Sequence, residues 1–110
     1  MSHPFHVYGA ALGLVAGLRP VLGALTKSDR NLADQLRRAA SSVALNIAEG
    51  NRRAGKDRLQ FFRIAAGSAA EVRAALDVAR AWGMVEATPE ADAELDRVLA
   101  MLWKLTHPRG

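Results

Sequence analysis

In residues 31–50, NLADQLRRAASSVALNIAEG, the apolar side chains keep step with an α-helix: Leu32, Leu36, Ala40, Val43 and Ile47 recur every three or four residues and share one face. Asn31 is placed to cap the start of this helix, with Asp34 at the third helical position, where an acid favours the N-terminal dipole. Gly50 and Asn51 supply the permissive backbone of a helix end. The basic link Asn51–Gly55 is short enough to make the next helix, expected over residues 56–82, antiparallel to the first. That helix repeats the rhythm with Phe62, Ala65, Ala69, Val72, Leu76 and Ala79, spaced 3, 4, 3, 4, 3, while Phe61 and Ile64 widen the stripe towards a second neighbour. Gly83 closes it, with Met84 and Val85 available to pack back over the end.

Working outward, residues 4–25 carry Tyr8, Ala11, Val15, Leu18, Leu22 and Leu25 in the rhythm of a bundle seam. Pro20 lies inside that rhythm and predicts a kink or break near Ala16–Arg19, because proline lacks the N–H and its ring clashes with the preceding turn. Residues 26–31 read as polar turn. The row Gly9, Gly13, Gly17 reads as a groove of small residues that another helix approaches closely. Downstream, Thr88-Pro89-Glu90 is a helix start with a hydroxyl cap, proline at the first position and early acids. The helix it opens, over residues 89–106, places Ala91, Leu95, Val98, Leu102 and Leu105 on one face. His107, Pro108 and Gly110 read as a frayed tail. Four amphipathic helices, short connections and no strand pattern predict one all-α domain over residues 1–110, an up-down-up-down antiparallel four-helix bundle. No duplicated segment, low-complexity tract or interdomain linker interrupts it.

The composition agrees. Among 110 residues, half are hydrophobic but only 5% are aromatic, so the apolar mass is Ala, Leu and Val, suited to close helix packing. No cysteine is present, which excludes disulfides, Cys-based zinc sites, iron–sulfur clusters and thiol nucleophiles. The run Val7–Leu18 ends at Arg19 after 12 residues, short of the roughly 20 that span a bilayer, and no Lys or Arg precedes it as in a signal peptide. A soluble helix and a cytoplasmic protein with no membrane contact are therefore expected. His3 and His6 could share a face and His107 is the third histidine, but none has a fixed carboxylate partner for a metal. The paired Glu-x-x-His motifs of a di-iron bundle are missing, since Glu49 is followed by Arg52 and Glu71 by Ala74. Ser41, Ser42 and Ser68 have no histidine base near them, and Gly50, Gly55 and Gly67 have no phosphate-loop spacing. The chain is expected to be no enzyme and to hold no cofactor or metal.

Charge is what remains. The formal net charge is +4, and residues 30–63 carry eight basic groups against three acids, a local +5, while residues 64–110 carry five against seven, a local −2. Arg30, Arg37, Arg52, Arg53, Lys56 and Arg63 should lie off the core faces or in the turn, where such cations contact phosphate backbones without reading bases. Residues 31–50 also carry a second stripe. Gln35, Arg38, Ser42, Asn46, Glu49 and Arg53 fall within about 80° of each other and about 115° from the apolar centre. The antiparallel turn would bring Arg38 beside Ser68 and Glu71, so Arg38, Ser42, Asn46, Glu49, Ser68 and Glu71 are read as a structural polar layer between two helices, with an Arg–carboxylate pair fixing register.

Two segments also carry a family resemblance. Gln35-Leu36-Arg37-Arg38-Ala39-Ala40-Ser41-Ser42-Val43 with Asn46-Ile47-Ala48-Glu49-Gly50, followed by Phe62, Ile64-Ala65, Gly67-Ser68-Ala69 and Glu71, resembles the bacterial four-helix-bundle family of 23S rRNA intervening-sequence proteins. That family is related to the accessory variability protein of diversity-generating retroelements. Many relatives have a proline where this chain has Ala44, so the bend it would introduce is not expected here. The resemblance implies a homopentamer without established catalytic activity that binds nucleic acid or a nucleic-acid enzyme. Five copies at +4 each would carry 5 × 4 = +20 formal charges. Two readings stay open: a protein that binds RNA or DNA, RNA foremost, through its Arg surface, and a scaffold whose acidic last helix and apolar patches recruit a partner such as a reverse transcriptase without touching nucleic acid.

Overall fold

The computed structural model describes residues 4–108, which form four helices and, among the described residues, no strand: α1 Pro4–Ser28, α2 Arg30–Asn51, α3 Gly55–Ala81 and α4 Pro89–Thr106. α1 packs on α2 and α4, and α3 packs on the same two, which closes a ring of four antiparallel neighbours measuring 44 × 22 × 20 Å. The faces expected for α2 and α3 are buried in full, Leu32 to Ile47 on one and Phe62 to Ala79 on the other. On α4, Ala91, Leu95, Val98 and Leu102 are buried and Leu105 is partly so. α2 runs straight through Ala44 as one helix.

α1 departs from its expected rotation. Its core residues are Val7, Ala11, Leu14, Leu18, Val21 and Leu25, while Tyr8, Val15 and Leu22 are only partly buried. An apolar helix offers no polar face to orient it, and the contact with α4 chooses instead. A methyl added at Gly13 would lie 2.8 Å from Glu94 Oε2, and one at Gly17 would lie 3.8 Å from the Ala91 Cα, so these two glycines are the groove for α4; Gly9 meets nothing within 4 Å. Pro20 does not break α1. Both Pro20 and Ala16, whose carbonyl loses its donor, are exposed, so that solvent can replace the missing hydrogen bond. By length and mean hydropathy, 1.5 over His6–Ser28, α1 is apolar enough to cross a membrane, and in this fold a core receives its apolar face.

The connections differ from expectation in chemistry more than in place. α1 continues through residues read as turn: Thr26 Oγ1 donates to the Leu22 carbonyl at 2.6 Å, which satisfies the hydroxyl inside a helix. Asp29 alone joins α1 to α2, and its carboxylate, not the Asn31 side chain, accepts from the Leu32 N–H at 2.9 Å. Gly50 has no positive φ and lies buried within α2; a Cβ there would stand 2.6 Å from Phe62 Cε1, so the residue serves close approach and not helix termination. Gly83, at φ 71°, does end α3 as expected. Its N–H donates to the Arg80 carbonyl and that of Met84 to Ala79, both at 2.9 Å, the double bond pattern of a Schellman end. Thr88 precedes α4, but its side chain does not cap it. Arg80 Nη1 donates to that hydroxyl at 2.8 Å instead.

Candidate nucleic-acid interface

The polar stripe of α2 does meet α3. Ser42 Oγ and Ser68 Oγ are 2.8 Å apart, and Asn46 Nδ2 donates to the Ser42 carbonyl at 2.9 Å and to Ser42 Oγ at 3.0 Å. These three residues form a small hydrogen-bonded layer that sets the register of the α2–α3 pair. The expected Arg38–Glu71 pair is not made. Both side chains line an open cleft of about 270 Å³ with Gln35, Ser42 and Ser68, yet among the described residues neither has an ion-pair or hydrogen-bond partner. Both are exposed, and water solvates them at less cost than locking two long side chains together. Glu49 is likewise outside the layer, since it accepts from Arg53 Nε and Nη2 at 3.0 and 2.9 Å, just past the end of α2.

The six cations expected to contact phosphate do not form one surface. Arg30 opens α2 and Arg52 follows its end, so the 22-residue helix separates them by about 33 Å. Arg37 is spent on Asp34 one turn earlier. Arg53 is held by Glu49 and lies over the Phe61 ring, 5.1 Å from its centroid. What stays together is Arg52, Lys56 and Arg63, exposed along the α2–α3 turn and the first turns of α3, with no acidic partner among the described residues.

Three arginines and one aromatic pair matter in ways the reading of the sequence missed. Arg58 reaches back across the turn, donating from Nε to the Gly50 carbonyl at 3.2 Å and from Nη2 to the Asn51 carbonyl at 3.4 Å; it satisfies the open end of α2. Arg73 pairs with Asp92 at 3.5 Å and with Asp96, and Arg80 pairs with Asp77 at 3.0 Å and Asp92 at 3.3 Å. Asp92 and Asp96, two of the four acids of α4, are therefore engaged by α3 along the flank of the bundle. At the other end of α4, Trp103 is exposed and stacks on His107, with centroids 4.2 Å apart and planes 12° from parallel, so His107 is not a loose tail. The signal for this pair was present in the four-residue spacing of Trp103 and His107. Among the described residues no three His, Cys, Asp or Glu side chains gather as a metal site, and His3 lies outside them.

Comparison with known proteins adds the family. The model of the family described as 23S rRNA-intervening sequence protein matches residues 5–104. In overall shape the chain is similar to the crystal structure of a protein of unknown function from the S23 ribosomal protein family of Bacteroides thetaiotaomicron. The TM-score is 0.85 over 96% of this chain and 98% of that one, at 14% sequence identity, which establishes a shared fold. No curated protein matches significantly.

Proposed function

Because the chain belongs to the 23S rRNA-intervening sequence protein family, we propose that it is a non-catalytic, cytoplasmic RNA-binding protein that acts as a homo-oligomer and holds the RNA backbone at the α2–α3 end of each bundle. The observation that carries this reading is the set of Arg52, Lys56 and Arg63, exposed on one end of the molecule and free of internal carboxylates while Arg37, Arg53, Arg73 and Arg80 are all paired. A cation without an internal partner gives up only water and counterions when it meets a phosphate, whereas a paired one must first release its carboxylate. Repetition of the basic end in an oligomer multiplies the contacts available to one strand.

The acidic side of α4 gives less support to the scaffold reading, because Asp92 and Asp96 are engaged by Arg73 and Arg80. Fluorescence anisotropy of a labelled RNA at low salt tests the proposal. Binding of unrelated RNA sequences is expected with Kd of about 1–100 μM at physiological salt, tightening as salt falls. Absence of binding to any RNA at low salt would contradict it.

A further inference from the structure

Beyond phosphate contact, the basic end carries an aromatic surface that charge alone does not call for. Trp103 is 61% exposed although it stacks on His107. The histidine is itself held, with Nδ1 donating to the Trp103 carbonyl at 2.9 Å and the Thr106 hydroxyl 3.2 Å away. One face of the indole is thus backed by a fixed ring, and most of the side chain remains in water. Trp82 is more exposed still, at 72%, but has no stacked ring behind it, so it is the backing by His107 that singles out Trp103.

Its neighbours follow from the register. The ion pair between Arg73 and Asp96 aligns α3 with α4. Arg73 also pairs with Asp92 one turn earlier, so Trp103 comes level with the turn of α3 over residues 62–66, the turn that carries Arg63. Leu105 and Pro108 share a cleft with Gly55, Arg58, Leu59 and Phe62, which fixes the same alignment at the end of the bundle. Lys56 is seven residues before Arg63, only about 20° away around α3, so the two cations line one outer row that leads from the indole to the turn.

We infer that Trp103, backed by His107, is a stacking platform for an unpaired base of single-stranded RNA whose adjoining phosphates run along Arg63, Lys56 and Arg52. Tryptophan stacks on any base through its π-face, so the platform is indifferent to sequence and selects single strands, because a base inside a duplex has no free face. The inference rests on the RNA-binding reading above and adds to it a preference that cations by themselves do not provide.

The test uses Trp82→Phe as background, leaving Trp103 the sole tryptophan, and three probes: a short oligouridylate, an abasic oligomer of equal length and a blunt RNA duplex. Indole fluorescence is expected to be quenched by oligouridylate and not by the abasic chain. Trp103→Ala is expected to weaken oligouridylate binding roughly 5- to 150-fold, to leave duplex binding and the slope against salt unchanged, and to leave helicity and particle mass intact, while Trp103→Phe stays within a few-fold of the parent. Equal quenching by the abasic oligomer, or unchanged oligouridylate affinity in Trp103→Ala, overturns the platform and leaves the RNA-binding reading standing. A fall in particle mass in Trp103→Ala identifies the indole as a subunit contact and also overturns it. Failure of the parent to bind any RNA at low salt removes both.

Discussion

Gly50 and Gly67 both lie in helices and both lack a positive φ, yet substitution at the two should have opposite signs. A Cβ at Gly50 would stand 2.6 and 2.8 Å from ring atoms of Phe62, whose side chain is buried among the other helices and has nowhere to turn. Gly50→Ala is therefore expected to lower stability by about 1–3 kcal/mol, outweighing the roughly 1 kcal/mol by which alanine favours a helix. Gly67 is exposed with nothing within 4 Å, so Gly67→Ala should raise stability by about 0.5–1 kcal/mol. Urea denaturation of the two variants measures both, and a Gly50→Ala protein as stable as the parent would mean that the Phe62 ring yields. The chain pattern showed that Gly50 is special and gave the wrong reason, because spacing does not distinguish a glycine needed for its φ from one needed for its size. Gly83 was legible, since a glycine followed by Met84-Val85 after a periodic run has the composition of a helix end. Asp29 was not, because one residue sufficed to join helices where a longer polar turn was expected.

At the level of elements, the faces of α2, α3 and α4 were readable because each alternates apolar and polar around its circumference. That of α1 was not, since nothing polar marks its outer side and the glycine contacts to Glu94 and Ala91 select the rotation. The polar layer divides in the same way. Ser42, Asn46 and Ser68 are short side chains at the helix contact and do meet, whereas Arg38 and Glu71 are long enough to reach water and take it. At the join between α2 and α3 the Arg58 guanidinium covers the Asn51 carbonyl and shares that of Gly50 with the Arg53 N–H. Arg58→Ala should cost about 1 kcal/mol, while Arg52→Ala, which removes no internal contact, should stay within about 0.5 kcal/mol of the parent. Thermal unfolding followed by circular dichroism separates them; equal stability of the two variants would show that the carbonyls are as well served by water.

For the whole molecule, the fold was legible from four periodic segments and short links, but assembly and binding depend on surfaces that periodicity leaves unassigned. The Ser42–Ser68 contact sets Leu45 level with Ala65, so that Leu45, 69% exposed, and Ile64, 41% exposed, share the outer face of the α2–α3 pair. The proposed assembly would bring copies together on this apolar face, so Leu45→Glu should reduce the particle mass in light scattering without loss of helicity; a parent protein that is monomeric at micromolar concentration would rule out self-association. The division of the six expected cations into paired, distant and clustered groups was invisible in the sequence, because it depends on which carboxylates lie one turn away and on which end of the bundle each residue falls. The clustered group is the one that the account requires to touch RNA. The most direct measurement is the slope of log affinity against log salt for single-stranded RNA, in the parent and in a protein carrying Arg52→Ala, Lys56→Ala and Arg63→Ala together. Each lost phosphate contact should flatten the slope by about 0.7, so the triple variant is expected to bind more weakly with a slope reduced by about 2 at unchanged helicity and mass. An unchanged slope in a folded triple variant would contradict the account, for it would mean that the basic end is a solvated surface and that RNA, if bound, is held elsewhere.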